Sequence, residues 1–165
     1  MKRKRTNARS KLLGALADTN TECAFCRIAS SDLDSVRVFE DENTVAFLDH
    51  RPLFPGHCLL ITRQHLRTIT DLPPALLASV FANVRALAVA VQNAMSAEGT
   101  FIAINNIVSQ SVPHFHVHIV PRRKGDGLHG FMWPRHKYSS AAEAEAVGKK
   151  IRDEIARLQS AENKS

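Results

Sequence analysis

A chain of 165 residues has room for one domain with a buried core, but not for two of ordinary size. Its 44% hydrophobic and 23% charged residues are ordinary for a soluble globular protein, and no apolar run is read as approaching the roughly 20 residues of a membrane span. The formal charge of +6 sits at the start: Lys2, Arg3, Lys4, Arg5, Arg9 and Lys11 are six of the 22 Lys and Arg, and the remaining sixteen balance sixteen acids. The body is therefore formally neutral, and a basic surface that tracks nucleic-acid phosphates is not expected.

Residues 1–20 read as a flexible basic arm with at most a helical turn, ahead of a folded domain over 21–165. No apolar stretch precedes Lys11, so a secretory signal is not expected; an Arg-rich, acid-poor start also fits an organellar presequence, but a solvated arm is the simpler reading. Cys23, Cys26 and Cys58, two of them in a C-x-x-C pair, suit a reducing cytoplasm better than a disulfide framework. β-Branched and aromatic runs at 36–39 and 44–48 flank the polar turn Glu40-Asp41-Glu42-Asn43 and predict a hairpin. A loop with Pro52, Pro55 and Gly56 follows, then a buried strand at 58–62. Asp71 is placed to cap a helix that opens on Leu72-Pro73-Pro74, and Leu76, Leu77, Val80, Val84, Leu87, Ala88 and Val91 recur at helical spacing up to Met95. Strands are expected at 101–104 and 114–120, bounded by Asn105-Asn106 and Pro121, with a last helix over 140–158. The fold class is α+β: an antiparallel sheet of about five strands packed on one long helix, plus a C-terminal helix.

The segment His114-Phe115-His116-Val117-His118-Ile119-Val120 is the most informative in the chain. On a strand, side chains alternate, so His114, His116 and His118 share one face while Phe115, Val117 and Ile119 share the other. Three imidazoles in a row bring polar nitrogens that need partners, which a fold seldom supports without use. Two chemistries suit them: a metal site, or attack on phosphorus by a neutral imidazole while its neighbours donate protons or hydrogen bonds.

With Gln110-Ser111 just before it, this row resembles the signature of the histidine-triad (HIT) superfamily, His-φ-His-φ-His-φ-φ. The similarity extends to Phe47-Leu48-Asp49, Pro55-Gly56-His57, the strand and turn from Leu60 to His65, and the opening Cys23-Ala24-Phe25-Cys26-Arg27-Ile28, so it covers about residues 22–135. The resemblance implies a HIT-like sheet and a nucleotide hydrolase or transferase acting at the α-phosphate. His116 would be the nucleophile, giving a nucleotidyl-histidine intermediate, and no magnesium is required. His118 would donate to phosphate oxygens, Ser111 and Gln110 would hold phosphate or leaving group, and His114 would complete the triad.

The resemblance further implies that Asp49 accepts the ribose hydroxyls and that Phe25, Ile28, Phe47 and Leu48 form the slot for a purine base, positions that plain core packing would also fill. His57 aligns with a histidine near the active site, and Asn105 or Asn106 with an asparagine near the phosphate. Ser109 stands where relatives place Gly, and His50 where a base-lining aliphatic is common. A zinc-binding branch of the family supplies a further implication: Cys23, Cys26, His65 and His114 as four ligands of a structural zinc. Relatives also pair as homodimers, with a C-terminal segment near the partner's site, and Trp133 is the residue placed to do that. Hint-like cleavage of nucleoside phosphoramidates is favoured over Fhit-like cleavage of dinucleoside polyphosphates. A nucleotide-binding adaptor working through its basic arm, and a zinc hydrolase using the row as ligands, are the readings from other classes.

Overall fold

The computed structural model describes residues 22–128 and 138–162, so the expected arm at 1–20 and Trp133 lie outside the described residues. The chain divides into two compact units between Asp126 and Gly127. In the second, helix α3 (Ala141–Glu162) runs past the expected end at 158, and its start is fixed where the Ser139 N–H and hydroxyl donate to Glu143 Oε2 at 2.5 and 2.6 Å.

In the first unit the short helix α1 (Ala24–Ala29) precedes strands β1 (Arg37–Glu40), β2 (Thr44–Leu48) and β3 (Cys58–Thr62), the long helix α2 (Pro74–Ala94), and strands β4 (Gly99–Ala103) and β5 (His116–Arg122). The five strands form one sheet in the order β1-β2-β3-β5-β4, every neighbouring pair antiparallel. The β1–β2 turn is held by one carboxylate: Asp41 Oδ1 accepts the N–H groups of Asn43 and Thr44 at 2.9 and 2.7 Å. Its other oxygen accepts from Asn83 of α2 at 2.6 Å, which ties the hairpin to the helix.

The two faces of the sheet carry separate cores, as strand alternation requires. Ala46, Cys58, Leu60, Phe115, Val117 and Ile119 pack on Val80, Val84, Leu87 and Val91 of α2, whose spacing is that of one helical stripe. Each of those four helix side chains contributes about 1.5–3 kcal/mol relative to leaving it in water. On the opposite face Val45, Phe47, Leu59 and Ile61 meet Cys23, Phe25, Cys26, Ile28 and Ala29 from α1 and the residue before it. That second face also carries the histidines, because His116 pairs with Ile61 and His118 with Leu59.

Several boundaries depart from the sequence reading. Asp71 does not cap α2: it closes a 3-10 turn (Ile69–Asp71), accepting the Thr68 N–H and hydroxyl at 2.9 Å each, and α2 begins at Pro74. Strand β5 starts two residues after His114 and runs through Pro121, which pairs with Thr100. The missing N–H is tolerated there because pairing with β3 has already ended at Ile119. Helix α2 also overturns the expectation about apolar runs: over 21 residues it is long and apolar enough to cross a membrane, yet one stripe of it packs on the sheet. Gly56 shapes the loop between β2 and β3, having φ +90° where a Cβ would stand 2.5 Å from Met95 Cγ.

Candidate active site

His116 opens β5 and is only 2% exposed. Its Nδ1 lies 2.7 Å from the carbonyl oxygen of His114. A carbonyl only accepts, so Nδ1 carries the proton and the lone pair of the neutral ring is on Nε2. A second tautomer is fixed behind it. His57, 2% exposed, accepts the Leu53 N–H on Nδ1 at 3.2 Å, so its proton is on Nε2, which lies 3.1 Å from His118 Nδ1. His118 accepts that hydrogen bond and keeps its own proton on Nε2. The row therefore presents one bare nitrogen and one N–H, on rings whose centroids are 4.9 Å apart.

Burial keeps His118 and His57 neutral. It pushes His118 down to about 4, reinforced by His116 and His57 and opposed by Asp49. His57 is also lowered by burial, against the pull of Asp49, whose Oδ2 is 3.6 Å from His57 Nδ1. Phe25 packs edge-on against the His116 ring at 5.3 Å and restricts its orientation.

A cleft of about 980 Å³ opens over His116 and His118. Phe25, Ile28, Phe47, Leu48, Asp49 and Ser111, all expected from the sequence, line it. So do Leu33, Asp34, Ser35, Val36, Arg51 and Val112, which the sequence reading missed. Leu33 to Ser35 lie in a segment without regular structure, where no periodicity marks a face, and Val36, expected to open the first strand, falls just before β1. His57 and Gln110 do not line the cleft: the first sits beneath His118, and the second braces the loop before β5. Gln110 Nε2 donates to the carbonyls of Arg67 (2.6 Å) and His114 (3.3 Å), while its Oε1 accepts the Ile107 N–H at 3.0 Å. That brace spans Ile107 and Ser109, both non-glycine residues at positive φ (65° and 62°). Ser109 thus adopts the conformation a glycine would, at a cost of order 1 kcal/mol. Asn106 accepts the Ile69 N–H at 3.1 Å, and Asn105 is half-buried away from the cleft lining. His50 lies at the cleft rim with its side chain 83% exposed.

Cys23, Cys26, His65 and His114 converge at the buried end of α1, their donor atoms all within 4.8 Å of one another. His114 Nε2–H donates to the Thr62 carbonyl at 2.8 Å, leaving Nδ1 bare and 3.5 Å from each of the two thiols. His65 Nδ1 is 3.2 Å from Cys26 Sγ. A tetrahedral zinc with bonds of about 2.1 Å to nitrogen and about 2.3 Å to sulfur needs donors about 3.6 Å apart, so the donor set fits that ion. Burial pushes His114 down to about 4, which keeps it in the ligating form. A second group, Asp49, His57 and His118, also clusters, but its two imidazoles are already hydrogen-bonded to each other.

Residues 30–125 match the HIT domain family. A HIT-like protein of Mycobacterium tuberculosis is 35% identical over 144 residues, 84% of this chain and 96% of its own. An adenosine 5'-monophosphoramidase of Saccharomyces cerevisiae is 29% identical over 89% of each chain. An asymmetrical bis(5'-nucleosyl)-tetraphosphatase of Schizosaccharomyces pombe is 38% identical over 50% of this chain and 47% of its own. Among solved structures, a zinc-bound histidine triad family protein of Mycobacterium smegmatis superposes with a TM-score of 0.63 at 38% identity, covering 86% of this chain and 98% of that one.

The neutrality of His118 has a measurable consequence. An unfolded histidine takes up a proton near 6.5, whereas the folded ring stays neutral to about 4. Unfolding therefore binds an extra proton between those values, so stability falls as pH drops through that window and is unaffected by this group above it. Denaturant titrations of wild type and His118→Asn should show the variant losing up to one proton of pH slope between pH 4 and 6.5. Identical slopes would contradict the assignment.

Proposed function

The chain belongs to the HIT domain family, and from that premise we propose that it is a nucleotide hydrolase in which His116 attacks the α-phosphate of a purine nucleoside phosphoramidate or similar adduct. The observation that carries this is the 2.7 Å hydrogen bond from His116 Nδ1 to the His114 carbonyl, which leaves Nε2 as a bare nucleophile facing the cleft. The Nε2 lone pair forms a bond to phosphorus while the bond to the leaving group breaks, and the leaving nitrogen takes a proton from solvent, which the attacking water gives back in the second step. His118 Nε2–H donates to a phosphate oxygen, and Ser111 stands at the same wall to hold phosphate or leaving group. The His116 ring becomes cationic in this step, and its Nδ1–H bond to a carbonyl strengthens accordingly. Water then attacks the same phosphorus and the phosphorus–nitrogen bond to His116 breaks, releasing the nucleoside monophosphate. In this reading Asp49 accepts the ribose hydroxyls and Phe25, Ile28, Phe47 and Leu48 surround the base, supported by their common place in the cleft lining. A pure adaptor has no physical need for an ordered nucleophile.

The phosphoramidase relative covers most of both chains, which favours that substrate class. Dinucleoside polyphosphates are the second reading, supported by the tetraphosphatase relative over half of this chain and by Arg51 in the cleft, a cation suited to a longer phosphate chain. Cys23, Cys26, His65 and His114 are proposed to hold a structural zinc, which would supply a closed four-ligand shell that ties α1 to the turn after β3 and the entry to β5. The zinc-bound mycobacterial neighbour supports this. A homodimer is proposed through the open edge of β4 and the adjoining outer side of α2. Ile102, Leu77 and Phe81 are 44%, 39% and 39% exposed there, and an edge strand is a template for pairing with its own copy.

Three measurements test these assignments. Intact mass after early quenching with adenosine 5'-phosphoramidate should show a nucleotidyl adduct on wild type and none on His116→Ala, whose turnover falls by at least about 10³-fold; efficient turnover by the variant would end the mechanism. Zinc should copurify at one ion per chain, and His65→Ala should lose it together with thermal stability while chelators leave the initial turnover of folded wild type intact; zinc-free wild type prepared without chelators would refute the metal site. Sedimentation equilibrium should give twice the 18.3 kDa chain mass, with Phe81→Glu shifted to monomer; a monomeric wild type at micromolar concentration would refute the dimer.

A further inference from the structure

One wall of the cleft is not uniformly apolar. Leu48 N–H donates to the Val36 carbonyl at 2.9 Å, so the segment carrying Asp34 and Ser35 runs beside the end of β2, where Asp49 leads into Arg51. Asp34, Ser35 and Arg51 all line the cleft among the apolar side chains of that slot. The Asp34 carboxylate and the Arg51 guanidinium have no hydrogen-bond or ion-pair partner among the described residues, and the Ser35 hydroxyl is buried without one. Unpaired polar groups in a slot otherwise built for a flat apolar ring are groups that a ligand satisfies.

The pairing rules of the bases then decide among ligands. A carboxylate offers two acceptor oxygens side by side and no donor. Guanine presents two adjacent donors on one edge, N1–H and the 2-amine. In adenine and cytosine the amine neighbours a bare ring nitrogen, and in uracil the single N–H is flanked by carbonyls, so one carboxylate oxygen would face a lone pair. A guanidinium complements guanine's O6 and N7 acceptors in the same way. Resting on the α-phosphate reading given above, we infer that Asp34 is a specificity-determining residue that selects guanine, with Arg51 as the donor to its acceptor edge. The substrate class is thereby narrowed to guanosine 5'-phosphate adducts.

The test compares kcat/KM for the 5'-phosphoramidates of guanosine, inosine and adenosine on wild type and Asp34→Asn. Wild type should prefer guanosine over adenosine by about tenfold or more, the discrimination of one bidentate pair. Inosine, which keeps N1–H and O6 but lacks the 2-amine, should fall between. Asp34→Asn should bring guanosine to within about threefold of adenosine, by lowering the guanosine value and raising that of adenosine, because the amide offers a donor where adenine has a bare ring nitrogen. Asp34 is exposed and outside any helix or strand, so a melting curve matching wild type is expected and confirms that the variant is folded. Equal wild-type rates for guanosine and adenosine, or a preference retained by Asp34→Asn, would overturn the inference while leaving the histidine chemistry standing. If none of the three is cleaved, the phosphoramidate reading fails instead, and calorimetric titration of GMP and AMP decides base selection by itself: about tenfold tighter GMP binding sustains it and equal binding overturns it.

Discussion

Everything at this site is referred to the backbone oxygen of His114. It accepts the Nδ1–H of His116 and the amide of Gln110, so it fixes at once the tautomer of the ring two residues on and the course of the loop before it. The ring of the same residue donates to the Thr62 carbonyl on β3 and aims its other nitrogen at two thiols. A single residue at the mouth of β5 thus joins the row of imidazoles, the cysteines of α1 and the neighbouring strand. A ring that must serve two masters cannot titrate or rotate freely, and its full burial removes both freedoms. Of the three histidines, it is the one whose side chain is wholly committed to structure.

The two-faced sheet explains why such a hub is affordable in stability. The face packed on α2 carries the apolar alternates Phe115, Val117 and Ile119, so the strand is anchored without help from its histidines. The other face then holds polar rings, but each has a partner: His116 on a carbonyl, His118 on His57, and His57 on the Leu53 N–H. Buried polar networks cost stability when half satisfied, and this one is closed except at the nitrogens that face the cleft.

Alternation made that division legible in the sequence before any coordinate: a period of two on residues 114–120 was enough to separate the histidines from the core. The hairpin was legible from the polar turn between its two runs, β3 from its unbroken apolar run, and the body of α2 from its helical period. What the sequence hid were features that depend on distant partners or on segments with no period. Gln110 reads as a phosphate ligand beside Ser111, yet its amide is spent on Arg67, 43 residues away. Asp71 reads as a helix cap because a proline pair follows it, but Thr68 offers two donors closer at hand. Pro121 reads as a strand terminator, and is harmless only because β3 stops opposite Ile119, a register fact. Asp34 and Ser35 fall in a stretch with neither helical nor strand periodicity, and only the fold brings them to the cleft wall.

The charge distribution bears on how the proposed reaction gains its rate. The bases in excess lie within the first twelve residues, and the rest of the chain is formally neutral, so long-range attraction is not what the folded body offers an anionic substrate. Near the phosphate the donors are neutral: His118 is held uncharged by burial, and Ser111 is a hydroxyl. A permanently cationic pocket would bind the substrate, the transition state and the dianionic nucleotide product alike, which accelerates nothing and slows release. In the proposed step, positive charge appears on His116 only as its bond to phosphorus forms, beside a carbonyl already placed 2.7 Å from Nδ1 to receive it. The stabilisation is therefore absent from the ground state and present at the barrier, where it lowers the activation free energy.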